Sequence, residues 1–137
     1  MNRSQLQKLS DERTNDAEAL LHAGQWSGAY YLAGYAVENA LKACIAKQTQ
    51  LFDFPDKNFV VQSYTHDLER LIRLAGLELP HRQALSQSAT FASHWVIVKD
   101  WNEESRYGRR SETEARELFT AITDSSDGVL PWIKQFW

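Results

Sequence analysis

Gln25-Trp-Ser-Gly-Ala-Tyr-Tyr-Leu-Ala-Gly-Tyr-Ala-Val-Glu-Asn-Ala-Leu-Lys-Ala-Cys-Ile-Ala-Lys47 is the run on which the reading of this chain turns. Trp26, Tyr30, Ala33, Val37, Ala40, Leu41 and Cys44 recur at helical spacing, one apolar stripe along a helix of about six turns. Tyr31, Tyr35, Glu38 and Lys42 form a second line at steps of four, three and four, aromatic at one end and charged at the other. Ala29, Ala36 and Ala43 make a third, bare enough for another backbone to come close. A surface helix needs one apolar stripe, so a helix with three usable faces belongs in the middle of a bundle or between two chains.

Working outward, Leu6, Leu9, Ala17, Leu20 and Leu21 share one side of a first helix, and Gly24 stands where a helix stop belongs. So short a corner predicts an antiparallel hairpin with the central helix. From Thr49 to Tyr64 the period fails, and Phe52, Phe54, Phe59 and Tyr64 are scattered around Pro55. This reads as a long ordered loop, either functional or an aromatic plug over one end of the bundle. Thr65 then suits an N-cap, with Asp67 and Glu69 in the first turn of a third helix that buries Leu68, Leu71, Ile72 and Ala75 and ends at Gly76.

After Pro80 one continuous fourth helix is expected, with Leu85, Ala89, Ala92 and Val96 as its core stripe. Phe91, His94, Trp95, Val98 and Trp101 form a second stripe. Two helices with surplus apolar faces are most economically packed on each other. The remainder, Phe91, Trp95, Val98 and Trp101, is then expected to meet a second copy of the chain, a homodimer interface, because patches of that size are rare on soluble monomers. Ser111 with Glu114 three positions on is a capping box opening a fifth helix that buries Leu118, Phe119 and Ile122. Pro131 suits the start of a last turn, and Trp132, Ile133, Phe136 and Trp137 must be tied to the body.

The chain of 137 residues is expected to be a single all-α domain over 1–137, of four to five helices, with a core that closes without disulfides. Its one cysteine, Cys44, lies on the core stripe, which fits a reducing compartment. The first residues carry no apolar run of the signal-peptide kind, and no segment is long and apolar enough to span a bilayer, so a cytoplasmic protein without membrane partners is expected. The net charge of −3 argues against broad nucleic-acid binding led by the phosphate backbone. His22, His66, His81 and His94 are too far apart for metal-ligand spacing, and neither a phosphate loop nor a nucleophile elbow is present, so no metal or cofactor is expected.

One constellation has a physical argument for a ligand. Arg106, Arg109 and Arg110, with Tyr107 among them, precede the capped start of the fifth helix, and guanidinium forks beside free helix N–H groups suit an anion or phosphate. The competing reading is ordinary surface pairing with Glu103, Glu104, Glu112 and Glu114. His66, at a helix start, reads as a hydrogen-bonded junction residue. Glu38 and Lys42, one turn apart, read as an intrahelical ion pair.

Gly24-Gln25-Trp26, Ala29-Tyr30, Ala36-Val37-Glu38 and Ala40-Leu41-Lys42-Ala43, followed by Tyr64-Thr65-His66-Asp67-Leu68 and by Trp101 with Arg106-Tyr107, resemble the HEPN domain family from about Leu9 to Ile122. The resemblance implies an up-and-down antiparallel helical bundle that commonly dimerises, in prokaryotic stress, defence or toxin–antitoxin settings and often beside a minimal nucleotidyltransferase. Many HEPN members are further similar in being metal-independent ribonucleases with an arginine and a following histidine separated by four to six residues late in the domain. This chain departs from that pattern, since Arg73 and His81, with seven residues between, are its nearest case and no histidine follows Arg106. Neither arginine nor tyrosine supplies a neutral-pH acid–base group unperturbed. The expectation is therefore a non-nucleolytic member with no catalytic residue. Arg106, Tyr107, Glu38, Lys42 and His66 carry over from the resemblance as structural or ligand-contacting positions, toward a nucleotidyltransferase partner or a nucleotide or RNA ligand. A ribonuclease assembled from Arg106, Tyr107 and a distant His66 or His94 is the alternative.

Overall fold

The computed structural model describes residues 1–51 and 57–137. Among them are eight α-helices and one 3₁₀ turn, with no strand. Helix α1 (Arg3–His22) and helix α2 (Trp26–Leu51) form the expected hairpin. Gly24 adopts φ +72°, and the N–H groups of Gly24 and Gln25 turn back to the carbonyls of Leu21 and Leu20, which satisfies two of the last carbonyls of α1. The small-residue line of α2 does what its bareness suggests. Ala29, Ala36 and Ala43 are buried, and Ser10 of α1 comes close enough to donate its hydroxyl to the Ala36 carbonyl at 2.7 Å.

Helix α2 is the hub. Besides α1 it meets α4 (Leu68–Leu74), α7 (Glu112–Thr123), α8 (Val129–Lys134) and the 3₁₀ turn (Glu103–Tyr107). Its stripe from Tyr30 to Cys44 is buried as the spacing predicts, with Trp26 half-buried at one end. One apolar cluster joins that stripe to Leu68, Leu71 and Ile72 of α4, Leu118 and Ile122 of α7, and Val129, Leu130 and Ile133 of α8. The C-terminal aromatics are tied down as expected: Ile133 is fully buried, Trp132 and Phe136 pack edge to face, and Arg3 donates to the Trp137 carbonyl at 2.6 Å.

Three local readings are corrected. The aperiodic stretch contains helix α3 (Lys57–Gln62); Phe59 is partly buried against the core, but Tyr64 is 75% exposed and plugs nothing. Phe52, Phe54 and Pro55 lie outside the described residues. Asp67, not Thr65, caps α4, accepting the Arg70 N–H at 3.2 Å while the Thr65 hydroxyl accepts the Asp67 N–H at 3.1 Å. The fourth helix is two helices, α5 (Glu78–Gln87) and α6 (Ala89–Lys99), because Ser88 is extended and spends its hydroxyl as the cap of α6, accepting from the Phe91 N–H and donating to Asp127.

The assignment of faces on α6 is reversed, and with it the expected interface. Val96 is 55% exposed and Ala89 is exposed, whereas Phe91, Trp95, Val98 and Trp101 are buried within the one chain. Helix α6 packs on α7, α8 and α5, and α7 lies against both α2 and α6. The supposed surplus is thus covered by α7 and α8, elements whose short apolar runs conceal how much area they cover. Those four side chains are core, and a second copy cannot reach them without opening the bundle. Among the described residues no helix is long and apolar enough to cross a membrane.

Candidate functional site

The second line of α2 leads to the one buried carboxylate among the described residues. Glu38 sits between Val37 and Asn39 with its side chain only 4% exposed. Both of its oxygens are used: Oε1 lies 2.5 Å from His66 Nδ1 and Oε2 lies 3.4 Å from Lys42 Nζ. A carboxylate this deep is costly unless paired on both sides, which is the arrangement found. A carboxylate only accepts, so His66 Nδ1 carries the proton and Nε2 is the ring nitrogen left for another partner. The His66 side chain is 36% exposed, enough to be reached from solvent. Its position is fixed from its own side by the capped start of α4 one residue later.

One turn along α2, Tyr35 stands edge-on to His66 with ring centroids 6.0 Å apart and edge-on to Trp101 at 5.0 Å. Tyr31 meets it at right angles, and the two hydroxyls are 3.4 Å apart. Burial is the main cause that pushes the Tyr35 hydroxyl well above the ordinary tyrosine pKa, with the Tyr31 hydroxyl bond and the Glu38 charge adding to it and Arg106 opposing. Tyr35 is therefore a neutral hydrogen-bonding group, and the field of Arg106 reaches it from the 3₁₀ turn. The Arg106 guanidinium lies over the Tyr107 ring at 4.9 Å, and that ring is 78% exposed. The tertiary fold thus brings Glu38, Lys42, His66 and Tyr35 together, with Arg106 acting on Tyr35 through its charge and lying over the Tyr107 ring.

Arg109 and Arg110 do not join it. Arg110 turns to the other side of α2, over the Tyr30 ring at 4.2 Å, pairs with Glu114 at 3.1 Å and donates its backbone N–H to Ser27 Oγ at 2.9 Å. The start of α7 is already served by its own capping box: Glu114 Oε1 accepts the Ser111 N–H, and that bond chiefly, with Arg110 helping, holds the Glu114 carboxyl below its usual pKa. Glu112 pairs with Arg116 instead, whose guanidinium lies over Trp26. Arg109 is exposed and has no ion pair among the described residues. The expected convergence of three arginines on one helix start does not form, because Glu114 occupies that start and takes Arg110 for itself.

The remaining histidines are elsewhere. His94 Nδ1 lies 2.9 Å from the Asp127 carbonyl, His81 is packed among aromatic rings, and His22 is exposed. Among the described residues no group of three or more histidine, cysteine, aspartate or glutamate side chains is placed to hold a metal. Burial pushes the Cys44 thiol up to about 11, which leaves it a core residue rather than a nucleophile.

The sequence reading placed Glu38, Lys42 and His66 but missed that Glu38 is buried, and it missed the Tyr31–Tyr35 hydroxyl pair and Tyr35 as the link to Arg106. One signal for Glu38 was available: a glutamate flanked by Ala36, Val37, Ala40 and Leu41 has little water around it and needs a partner beyond Lys42. Nothing local pointed to which histidine would supply it.

A search of curated proteins and a search of solved structures each found no significant match. The profile of the HEPN domain matches residues 5–135, nearly the whole chain. With that match and an all-helical architecture built around α2, the chain belongs to the HEPN domain family.

Proposed function

We propose that the chain is a non-catalytic HEPN module that binds a phosphate-bearing ligand, a nucleotide or a phosphorylated group on a partner, where His66, Tyr35, Arg106 and Tyr107 meet. The observation that carries this reading is the pairing of Glu38 with His66 and Lys42, which fixes a partly exposed imidazole edge-on to Tyr35, while the Arg106 guanidinium that acts on Tyr35 lies over an exposed tyrosine ring. Arginine and histidine donors suit phosphate oxygens, and an exposed tyrosine offers a base a stacking face. The sequence supports the non-catalytic part, since no arginine is followed by a histidine at the spacing that HEPN ribonucleases use. The setting proposed is cytoplasmic stress response, defence or a toxin–antitoxin pair, beside a minimal nucleotidyltransferase. Homodimerisation is retained in the proposal with its contact moved off the four buried side chains of α6 and its flank.

Calorimetric titration of nucleoside mono- and triphosphates, and of the product of the neighbouring gene, into the wild type and into Arg106→Ala and Tyr107→Ala tests the reading. Binding that weakens in both variants and with added salt supports it. Equal heats for all three proteins overturn it. Light scattering at micromolar concentration gives the oligomeric state, and a monomer mass removes the homodimer.

A second reading has its own observation. Glu38 and His66 form a carboxylate–histidine pair, and Tyr35, edge-on to His66, feels the charge of Arg106, which supports a reading in which a histidine distant in sequence works with that arginine. That is the arrangement a ribonuclease with a displaced histidine requires. Incubation with mixed cellular RNA in the presence of chelator separates the two: intact RNA favours the binding module, and chelator-resistant cleavage lost in both His66→Ala and Arg106→Ala establishes the enzyme.

A further inference from the structure

The imidazole of His81 is the side chain by which α5 enters the aromatic cluster of α6 and α8. Its ring centroid lies 4.5 Å from that of Trp95, 5.5 Å from Trp132 and 6.2 Å from Phe91. Its Nε2 is buried without a hydrogen-bond partner. The rest of α5 is weakly held. No residue of this ten-residue helix is fully buried, Leu79 is 65% exposed, and Ala84 and Leu85 only lean on the core. Both ends are breaks in the helical chain. Gly76 at φ +71° precedes it, and extended Ser88 follows, fixed to Asp127 by its hydroxyl.

We infer that α5 is an acid-sensitive flap, latched at neutral pH by neutral His81 among Trp95, Phe91 and Trp132 and released when that ring is protonated. A neutral imidazole tolerates an apolar ring cage with one unpaired nitrogen, whereas an imidazolium needs both N–H groups satisfied and its charge solvated. The groups facing the ring offer little compensation. From α6 and α8 they are aromatic. From α4, Glu69 and Arg73 line the same hollow of about 180 Å³, and from α5 itself Glu78 and Arg82 do so, these two already 3.5 Å apart as a pair. Glu69 alone favours the charged ring, and desolvation outweighs it, so the His81 pKa lies below the ordinary value of 6.5.

The direction of linkage follows. A histidine whose pKa is depressed in the latched state binds its proton more readily when released, so latching is fully favourable above about pH 6.5 and is lost as pH falls from there through the latched-state value. Local opening of this kind needs α5 to part from α6, from Trp132 of α8 and from its slight contact with α4, but leaves the hub helix in place, which makes no substantial contact with it. His94, which precedes Trp95 on α6, is held instead by the Asp127 carbonyl beyond the hinge, with Asp124 4.0 Å from the same ring nitrogen.

Hydrogen–deuterium exchange of the full chain at about pH 7.5 and about pH 5, with labelling times scaled for chemical exchange, tests the latch. The expected result is loss of protection on peptides from residues 78–87 at the lower pH with protection of α2 retained, and no such loss in His81→Phe. Equal α5 protection at both pH values in the wild type, or the same acid loss in His81→Phe, overturns the proposal. Should His81→Phe fail to fold, NMR titration of the wild type decides: the His81 ring and the Trp95 indole must report one common transition below pH 6.5, and a His81 titration that leaves Trp95 unmoved overturns the latch.

Discussion

Trp101 lies on the bare backbone of Gly34, so close that a Cβ built on that glycine would stand 2.0 Å from the nearest indole carbon. This contact seats the segment that follows α6 on the hub helix, brings the Trp101 ring edge-on to Tyr35, and sets where the 3₁₀ turn with Arg106 begins. Gly34 is in mid-helix, where alanine would ordinarily add about 1 kcal/mol. Steric overlap with a fully buried indole costs more, about 1–3 kcal/mol or above. Gly34→Ala is therefore expected to destabilise by about 2 kcal/mol in urea unfolding and to weaken ligand binding at Arg106. A stabilised variant would show that Trp101 is free to move.

Trp95 packs against His81 and is buried within one chain, so Trp95→Glu is expected to unfold the protein rather than split a dimer. The loss combines a large cavity with an unpaired buried carboxylate, on the order of 3–5 kcal/mol. Circular dichroism and light scattering on the same sample decide: full helicity with a halved mass would restore Trp95 to an interface.

Glu38 and His66 are expected to be energetically coupled. Glu38→Ala removes the acceptor of two donors at once and should cost about 1–3 kcal/mol. In a double-mutant cycle of Glu38→Gln and His66→Gln, a coupling of about 0.5–3 kcal/mol is expected, since contacting residues fail to add by that much. Additive effects would mean that each side chain serves the fold separately.

Arg109 and Arg110 are expected to behave differently despite being adjacent. Arg110→Ala should lower thermal stability slightly, by an amount that shrinks with salt, because it removes a pair with Glu114 and the stack on Tyr30. Arg109→Glu should leave the melting temperature unchanged. If nucleotide binding responds to Arg109→Glu but not to Arg110→Ala, the exposed arginine extends the Arg106 surface.

Cys44 is expected to resist thiol reagents at pH 8 in the folded protein and to react only on unfolding, because burial raises its pKa to about 11. The sign at high pH is fixed by the same shift. A folded-state pKa above the unfolded value of 9.0 means that this contribution to stability is complete below pH 9 and is lost as pH rises toward 11. Cys44→Ala should flatten that part of the alkaline unfolding curve.

What could be read directly from the chain is what is encoded within one helical turn or one cap. The three lines of α2, the glycine stops at Gly24 and Gly76, and the reciprocal bonds of Ser111 and Glu114 all follow from spacings of three and four residues and from conformations that only certain residues adopt. The residues of the site were legible singly for the same reason. Periodicity says which side chains share a face; it does not say which face is covered. On α6 the choice between Val96 and Trp95 was made by α7 and α8, which arrive from later in the chain and cover the heavier aromatic side. Glu38 and His66, 28 positions apart, meet because α4 docks on α2, and the desolvation of Glu38, which makes that meeting necessary, exists only once the surrounding alanines and valine are packed. Arg110 is held by one partner of each kind: Glu114, four positions on and legible from spacing, and Tyr30, which comes within reach only when the start of α7 lies along α2.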